Sequence, residues 1–326
     1  MSKRLIALLA LCLLLVACSG KEDAEKPADT VATADRAEAQ AEPVVSSSEY
    51  DILIRNGLVY DGTGAEPVAA DVAIRGDRIG ASGPGLEDAR QNIDATGLAV
   101  APGFINMLSW ATESLIEDGH SQSDIRQGVT LEVMGEGWSM GPMNQKMKEE
   151  AVAQSGDIKY DIEWTTLGEY ISFLEKKGIS NNVASFVGAT SIRIHELGHA
   201  DRPPTSVELA AMKQLVADAM EEGALGVGSS LIYAPAFYSS TEELIELSEV
   251  AAGYGGRYIS HIRGVGGTLL ESIDELITIA RVAGIGAEIY HLKAAGKSNW
   301  HKMDQAFERF EAARAEGLDI TADMYT

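Results

Sequence analysis

Arg257-Tyr258-Ile259-Ser260-His261 and Gly286-Ala287-Glu288-Ile289-Tyr290-His291 decide the fold. Each is a short apolar run that closes on an imidazole, and each is followed within a few residues by glycine and then by a helical pattern. Consecutive units of this kind imply a parallel sheet, and a parallel α/β barrel carries its functional side chains at the strands' C-terminal ends. Two neutral imidazoles aimed from adjacent strands into one mouth make half of a zinc site. Such a site still needs a carboxylate or thiolate and an open position for water. The ordinary alternative is that each ring only donates to a carbonyl or faces solvent.

The same rhythm of strand, loop and helix extends on both sides of these runs. Residues 205–223 open with a capping box, Thr205 with Glu208, carry Met212, Leu215, Val216 and Met220 on one face, and stop at glycine. Ser240 with Glu243 and Thr268 with Glu271 predict the same device for the next two helices, which end near Gly253 and Gly284. A last helix over residues 302–317 places Met303, Phe307 and Phe310 along one side. Further strands are expected over residues 98–106, 129–135, 182–187, 224–228 and 318–325. The fold class is therefore α/β, a (β/α)8 barrel over residues 98–326 with about seven of its eight strands present, so that it reads as truncated before the last. Residues 49–97 differ: short alternating runs broken at Asn56-Gly57, Asp61-Gly62, Gly76-Asp77 and Gly83-Pro84-Gly85 predict a small β-rich module.

Hydrophobic residues make up 45% of the chain and charged residues 23%, the balance of a globular protein. The 26 basic and 49 acidic side chains give a formal charge of -23, which argues against nucleic acid as the main partner. Lys3 and Arg4 precede an apolar run, residues 5–16, that is too short to span a bilayer comfortably and reads as an export signal over residues 1–18. Its end, Leu15-Val16-Ala17-Cys18, resembles the lipobox of bacterial lipoproteins, which implies cleavage before Cys18 and diacylglycerol on its sulfur. Residues 19–48 are Ala, Glu, Asp, Ser and Pro with almost no large apolar side chain, the composition of a flexible tether. With Cys12 removed and Cys18 lipidated, the mature domain has no thiol for a disulfide or a metal. Ser19 resembles an outer-membrane sorting signal, so the expected location is the bacterial cell envelope, lipid-anchored and on the periplasmic side.

Leu53-Ile54-Arg55-Asn56-Gly57, Val59-Tyr60-Asp61-Gly62-Thr63-Gly64 and Val100-Ala101-Pro102-Gly103-Phe104-Ile105 resemble the start of amidohydrolase-superfamily enzymes, in which a small β-sandwich precedes a metal-binding barrel. Gly128-Val129-Thr130, the segment from Tyr258 through His261 to Arg263, His291-Leu292-Lys293-Ala294-Ala295-Gly296 and Asp323-Met324-Tyr325 look like the N-acyl-D-amino-acid deacylases (D-aminoacylases). The resemblance runs from about Tyr50 to the end. Two departures bear on the metal. Where the family continues Asp-x-His-x-His, this chain has Asn106-Met107-Leu108-Ser109-Trp110, and neither Leu108 nor Trp110 can ligate zinc, so one metal per chain is expected. Where those enzymes carry a ligating cysteine, the chain reads Gly135-Glu136-Gly137-Trp138, and a carboxylate is an acceptable replacement.

The resemblance implies a zinc site of Glu136, His261 and His291, with Lys293 and Tyr325, and less firmly Arg263, holding the substrate's carboxylate. Metal-activated water would then hydrolyse the linear amide of an N-acyl, D-configured amino acid. The aspartate that the superfamily uses for proton transfer sits at the end of an eighth strand, so it is expected beyond Thr326, and the chain alone is expected to be inactive. Two alternatives stand beside this. One is a lipoprotein that keeps the barrel for binding and has lost catalysis, motivated by Leu108 and Trp110. The other is a zinc metallopeptidase using His195-Glu196-Leu197-Gly198-His199, although Gly198 and Pro203-Pro204 disfavour the required helix and residues 184–194 read as strand and loop.

Overall fold

The computed structural model describes residues 50–325. The expected export signal, tether and lipidated Cys18 all lie outside the described residues. The chain forms two compact units, one from residues 50–55 and 71–94, the other from residues 56–70 and 95–325.

Strand β1 (Ile52–Val59) begins in the first unit and ends in the second. In the first unit, residues 71–75 of β2 (Val68–Arg75) pair with β3 (Arg78–Gly83) in an antiparallel hairpin whose turn needs a left-handed residue, supplied by Gly76 at φ 59°. Residues 52–55 of β1 pair in parallel with β4 (Gln91–Asp94), and Leu53, Ala73 and Ala89 form the buried core.

In the second unit, β5 (Ala99–Val100) pairs with residues 58–59 of β1, and the chain then passes Ala101-Pro102-Gly103 into β6 (Phe104–Asn106). The single strand expected over residues 98–106 is thus two, because Pro102 has no N–H to give a ladder. After the short helices α1 (Ser114–Glu117) and α2 (Gln122–Ile125) come β7 (Val129–Met134), α3 (Gln145–Gln154), α4 (Leu167–Lys177), β8 (Asn182–Ser185) and β9 (Val187–Gly188). The rest is regular: α5 (Ala189–Leu197), α6 (Ser206–Glu221), β10 (Gly226–Ser230), α7 (Thr241–Gly253), β11 (Arg257–His261), α8 (Leu269–Ala283), β12 (Gly286–Ile289), α9 (Lys302–Ala315) and β13 (Ile320–Ala322).

The parallel strands lie in the orders β6-β7-β8 and β13-β12-β11-β10-β9. Only Phe186 separates β8 from β9, so the two sheets are consecutive arcs of one wall in which spatial order follows chain order. That singly wound order belongs to a barrel; a doubly wound sheet would reverse at a switch point. The fold is an incomplete TIM-type barrel. Strand alternation builds its two cores. Tyr258 on β11 packs outward with Leu244, Leu269 and Ile273 of the helices, while Ile259 points inward to Val133, Phe186 and Tyr290. His261, two residues beyond Ile259, inherits the inward direction.

The helices start largely for the expected reasons. Thr205 and Glu208 form both halves of a capping box. At α7 only one half forms: Ser240 accepts from the Glu243 backbone N–H at 3.2 Å, but the Glu243 carboxylate turns to Arg193 at 2.6 Å in a fully buried ion pair. Thr268 makes no side-chain cap; its backbone (φ -104°, ψ 24°) departs from the extended conformation of the capping residues Thr205 and Ser240. On α9, Phe310 is buried with Ala306 and Ala313, whereas Phe307 is exposed. No described helix is long and apolar enough to cross a membrane.

Candidate metal centre

Glu136 follows directly on β7, and its two glycine neighbours put it there. Gly135 takes φ 105°, and a side chain at that position would come within 2.3 Å of the Phe186 carbonyl oxygen. Gly137 takes φ 75° and would meet Ser230 at 2.7 Å. The chain can therefore fold tightly over the barrel mouth only with glycine on both sides, and the turn drives the one side chain between them inward. Glu136 is 8% exposed.

His261 and His291 arrive from neighbouring strand ends and are equally buried. Their rings lie edge to face, 4.4 Å apart between centroids. The Nδ1 of His261 is 2.9 Å from Glu136 Oε1, and His291 Nε2 is 3.5 Å from the same oxygen. Strand alternation does not place His291, since β12 stops at Ile289 and His291 has a left-handed backbone with φ 40°. Such a conformation costs a non-glycine residue of order 1–3 kcal/mol and needs support from its surroundings. Asp323, just past β13, gives it: its carboxylate accepts the His291 backbone N–H, and its carbonyl oxygen accepts the Leu292 N–H.

Electrostatics favour ligand-ready protonation states. Burial would push the Glu136 carboxyl up, but hydrogen bonds from His261 and Trp110, with attraction to either imidazole when it is protonated, outweigh it and hold it below the usual carboxylate range. Burial, then the Lys293 ammonium and His261, push the His291 imidazole down, which keeps it neutral at pH 7. Glu136, His261 and His291 are a group of metal-capable side chains whose ligand atoms all lie within 4.8 Å of one another. Tetrahedral zinc with ligands at about 2.0–2.1 Å sets neighbouring ligand atoms about 3.3 Å apart, and the observed 2.9 and 3.5 Å bracket that value. His261 also has a buried Nε2 without a partner among the described residues. Donor types and spacing fit a zinc ion with His261 Nδ1, His291 Nε2 and Glu136 Oε1 as the ligand atoms.

The remaining predicted residues divide. Lys293 Nζ sits 2.8 Å from His291 Nδ1 and 3.3 Å from the Tyr325 hydroxyl, so Lys293 and Tyr325 meet at the edge of the cluster. Arg263 is committed elsewhere. Its guanidinium donates to Glu275 and to the carbonyls of Phe237 and Ser239, which fastens a loop and leaves no fork for a substrate carboxylate. His195, Glu196 and His199 make no metal group, and the peptidase reading falls. Contrary to expectation a helix, α5, does form there, but it ends at Leu197, and Gly198 (φ 61°) turns His199 away. His195 faces Glu196 at 2.7 Å and His199 faces Glu150 at 3.3 Å.

Sequence reasoning missed two participants. Trp110 is more than a lost ligand: its indole N–H donates to Glu136 Oε2 at 2.9 Å, fixing the carboxylate so that Oε1 faces the histidines. Leu108, by contrast, joins the apolar cluster of Val133 and Ile259 inside the barrel. Asp323 is the other. Its Oδ2 is buried without a partner among the described residues, and burial raises its carboxyl pKa.

A parallel barrel with a buried carboxylate and two imidazoles converging at the C-terminal ends of its strands is the framework of a metal-binding barrel protein. No protein-family model matches the chain. A D-aminoacylase from Alcaligenes xylosoxydans xylosoxydans is 31% identical over 285 residues, 86% of this chain and 58% of that protein. A crystal structure of D-aminoacylase, described as defining a novel subset of amidohydrolases, superimposes with a TM-score of 0.75 at 31% identity, over 85% of this chain and 58% of that one. An N-acyl-D-glutamate deacylase from Bordetella bronchiseptica, solved with zinc and a phosphonate mimic of the tetrahedral intermediate, gives a TM-score of 0.75 at 29% identity, covering 85% and 59%. Over about 85% of its length the chain is similar to N-acyl-D-amino-acid deacylases of the amidohydrolase superfamily. It spans a little over half the length of the relatives it matches.

Proposed function

We propose that the protein hydrolyses the linear amide of N-acyl amino acids, of D configuration, with one zinc ion held by Glu136, His261 and His291. The observation that carries this reading is the turning of both imidazoles onto one oxygen of a buried carboxylate. Zinc bound there supplies Lewis acidity for the acyl carbonyl and a water acidified toward neutrality. The protein's own residues do the rest. Trp110 keeps Glu136 in a one-oxygen pose. Lys293, with the Tyr325 hydroxyl beside it, offers a cation and a donor to the substrate's carboxylate, setting the amide against the cluster. The backbone of His291, fixed by Asp323, holds the Nε2 direction while substrate binds. The relatives named above are all deacylases, which supports an enzyme over a binding lipoprotein that has lost catalysis.

The test is zinc content and turnover of the full-length protein against His261→Ala and His291→Ala. About one zinc per chain, lost in both variants, with hydrolysis of N-acyl-D-amino acids in the wild type alone, is expected. A folded, reconstituted wild type that binds no zinc would reject the mechanism. The proposal extends to location: a diacylglyceryl adduct on Cys18, read by mass spectrometry of membrane-extracted protein, would place the enzyme on the bacterial envelope.

A further inference from the structure

Beside the metal centre lies a cavity of about 510 Å3 that the chemistry above leaves unused. Glu136 and Trp110 line it together with Met140, Met143, Met147 and Ile194. Met143, Met147 and Ile194 are themselves a buried apolar cluster. The ionisable side chains on its wall are Glu113, Glu136, Glu150, His199 and the Tyr160 phenol; no lysine or arginine lines it. Glu113 already accepts from the Tyr160 hydroxyl at 2.7 Å, and Glu150 lies 3.3 Å from His199.

We propose that this cavity holds the acyl chain and that the enzyme prefers acyl chains of up to about eight carbons over acetyl, an inference that rests on the deacylase reading. The two halves of an N-acyl amino acid differ in charge. The amino-acid half carries a carboxylate, and the cation suited to it, Lys293, stands against His291 and is not among the residues lining the cavity. The acyl half is uncharged, and a wall with three carboxylates and no basic group repels anions while its methionines accept hydrocarbon. With the amide at the metal cluster and the carboxylate on Lys293, the acyl group is the half that extends past Glu136. Size sets the length. If one methylene takes roughly the share of a water molecule, about 30 Å3, an acetyl group leaves most of the cavity empty and a chain of about eight carbons fills half of it. The unbranched side chains of Met140, Met143 and Met147 can rearrange around a flexible chain without leaving gaps.

The experiment is an acyl-length series, acetyl through octanoyl on one D-amino acid, with the zinc-loaded full-length protein. Each length is assayed for kcat/KM, and for binding to the zinc-depleted protein by intrinsic fluorescence, since Trp110 and Trp138 line the cavity. Both readouts should rise about threefold to fourfold per methylene until the cavity is filled. Met147→Trp, and independently the milder Ala151→Leu, should reduce the octanoyl-to-acetyl ratio by at least about tenfold. A flat series in both readouts, or an unchanged ratio in both variants, overturns the proposal. If fluorescence shows the length dependence but no member is hydrolysed, the acyl cavity stands and the hydrolytic reading falls; if acetyl substrates turn over with a flat series, the reverse holds.

Discussion

Two sets of histidine and glutamate in this chain make opposite use of sequence distance. His195, Glu196 and His199 lie within five consecutive residues and match a metal-binding spacing, yet each histidine ends against its own carboxylate, one of them the distant Glu150. Glu136, His261 and His291 come from three separate strand ends, 125 residues apart between the first two, and meet within 4.8 Å. Local spacing is geometry only where the backbone is the one the motif assumes, here a helix that continues through the second histidine. Gly198 caps that helix, whose last residue is Leu197, two residues short of His199. Barrel strands converge whatever the length between them, so a residue at a strand's C-terminal end is a better guide to a site than a residue in a regular motif.

The largest effect should separate the two sets directly. His261→Ala or His291→Ala removes one of three protein ligands. If the roughly 10–16 kcal/mol of a tight zinc site is shared among its ligands, about 3–5 kcal/mol is lost, on the order of 100-fold to 1,000-fold or more in affinity. Competition against a zinc chelator reads this, and wild-type affinity in either variant would dissolve the proposed centre. Next comes the buried ion pair on α5, which gives the region around His195 a structural purpose. Arg193→Met leaves Glu243 charged and unpaired in the core and should cost about 3–5 kcal/mol of stability by urea denaturation, with zinc stoichiometry unchanged in the folded fraction. Loss of zinc without loss of stability would reverse the assigned roles.

How much of this was legible follows from the same contrast. The barrel, its two histidine strands and Glu136 between glycines could be read, because each depends on a pattern of a few consecutive residues. Three features could not. The α5 helix has the β-branched residues Thr190, Ile192 and Ile194, which weaken its propensity; it forms because residues 189–194 are all buried, so packing overrides the local preference. The break at Pro102 was written in the sequence but outweighed by the apolar run around it. The bond from Trp110 to Glu136 joins residues 26 apart through the direction of an indole ring, which no periodicity encodes. Substitution of a ligand-type histidine could be read as a loss; only the coordinates show the replacement supporting a neighbour. Trp110→Phe keeps the ring and removes the N–H, and should weaken zinc binding by about 10-fold to 100-fold, the usual effect of a partner that orients a metal ligand. If the affinity is unchanged, the indole only fills space.

The smallest effect carries the sharpest contrast with the first. His195→Ala and His199→Ala should leave zinc affinity and stoichiometry unchanged. His199 is exposed on its ion pair with Glu150, so each substitution should also shift stability by no more than about 1 kcal/mol. His199 does line the proposed acyl cavity, so His199→Ala can alter acyl-length preference while zinc stays bound. That combination separates the regions most cleanly: a residue from the motif with metal-like spacing would act on the substrate's apolar half, and the metal would answer only to residues brought together by the barrel. A fall in zinc binding in His199→Ala would remove the contrast on which this division rests.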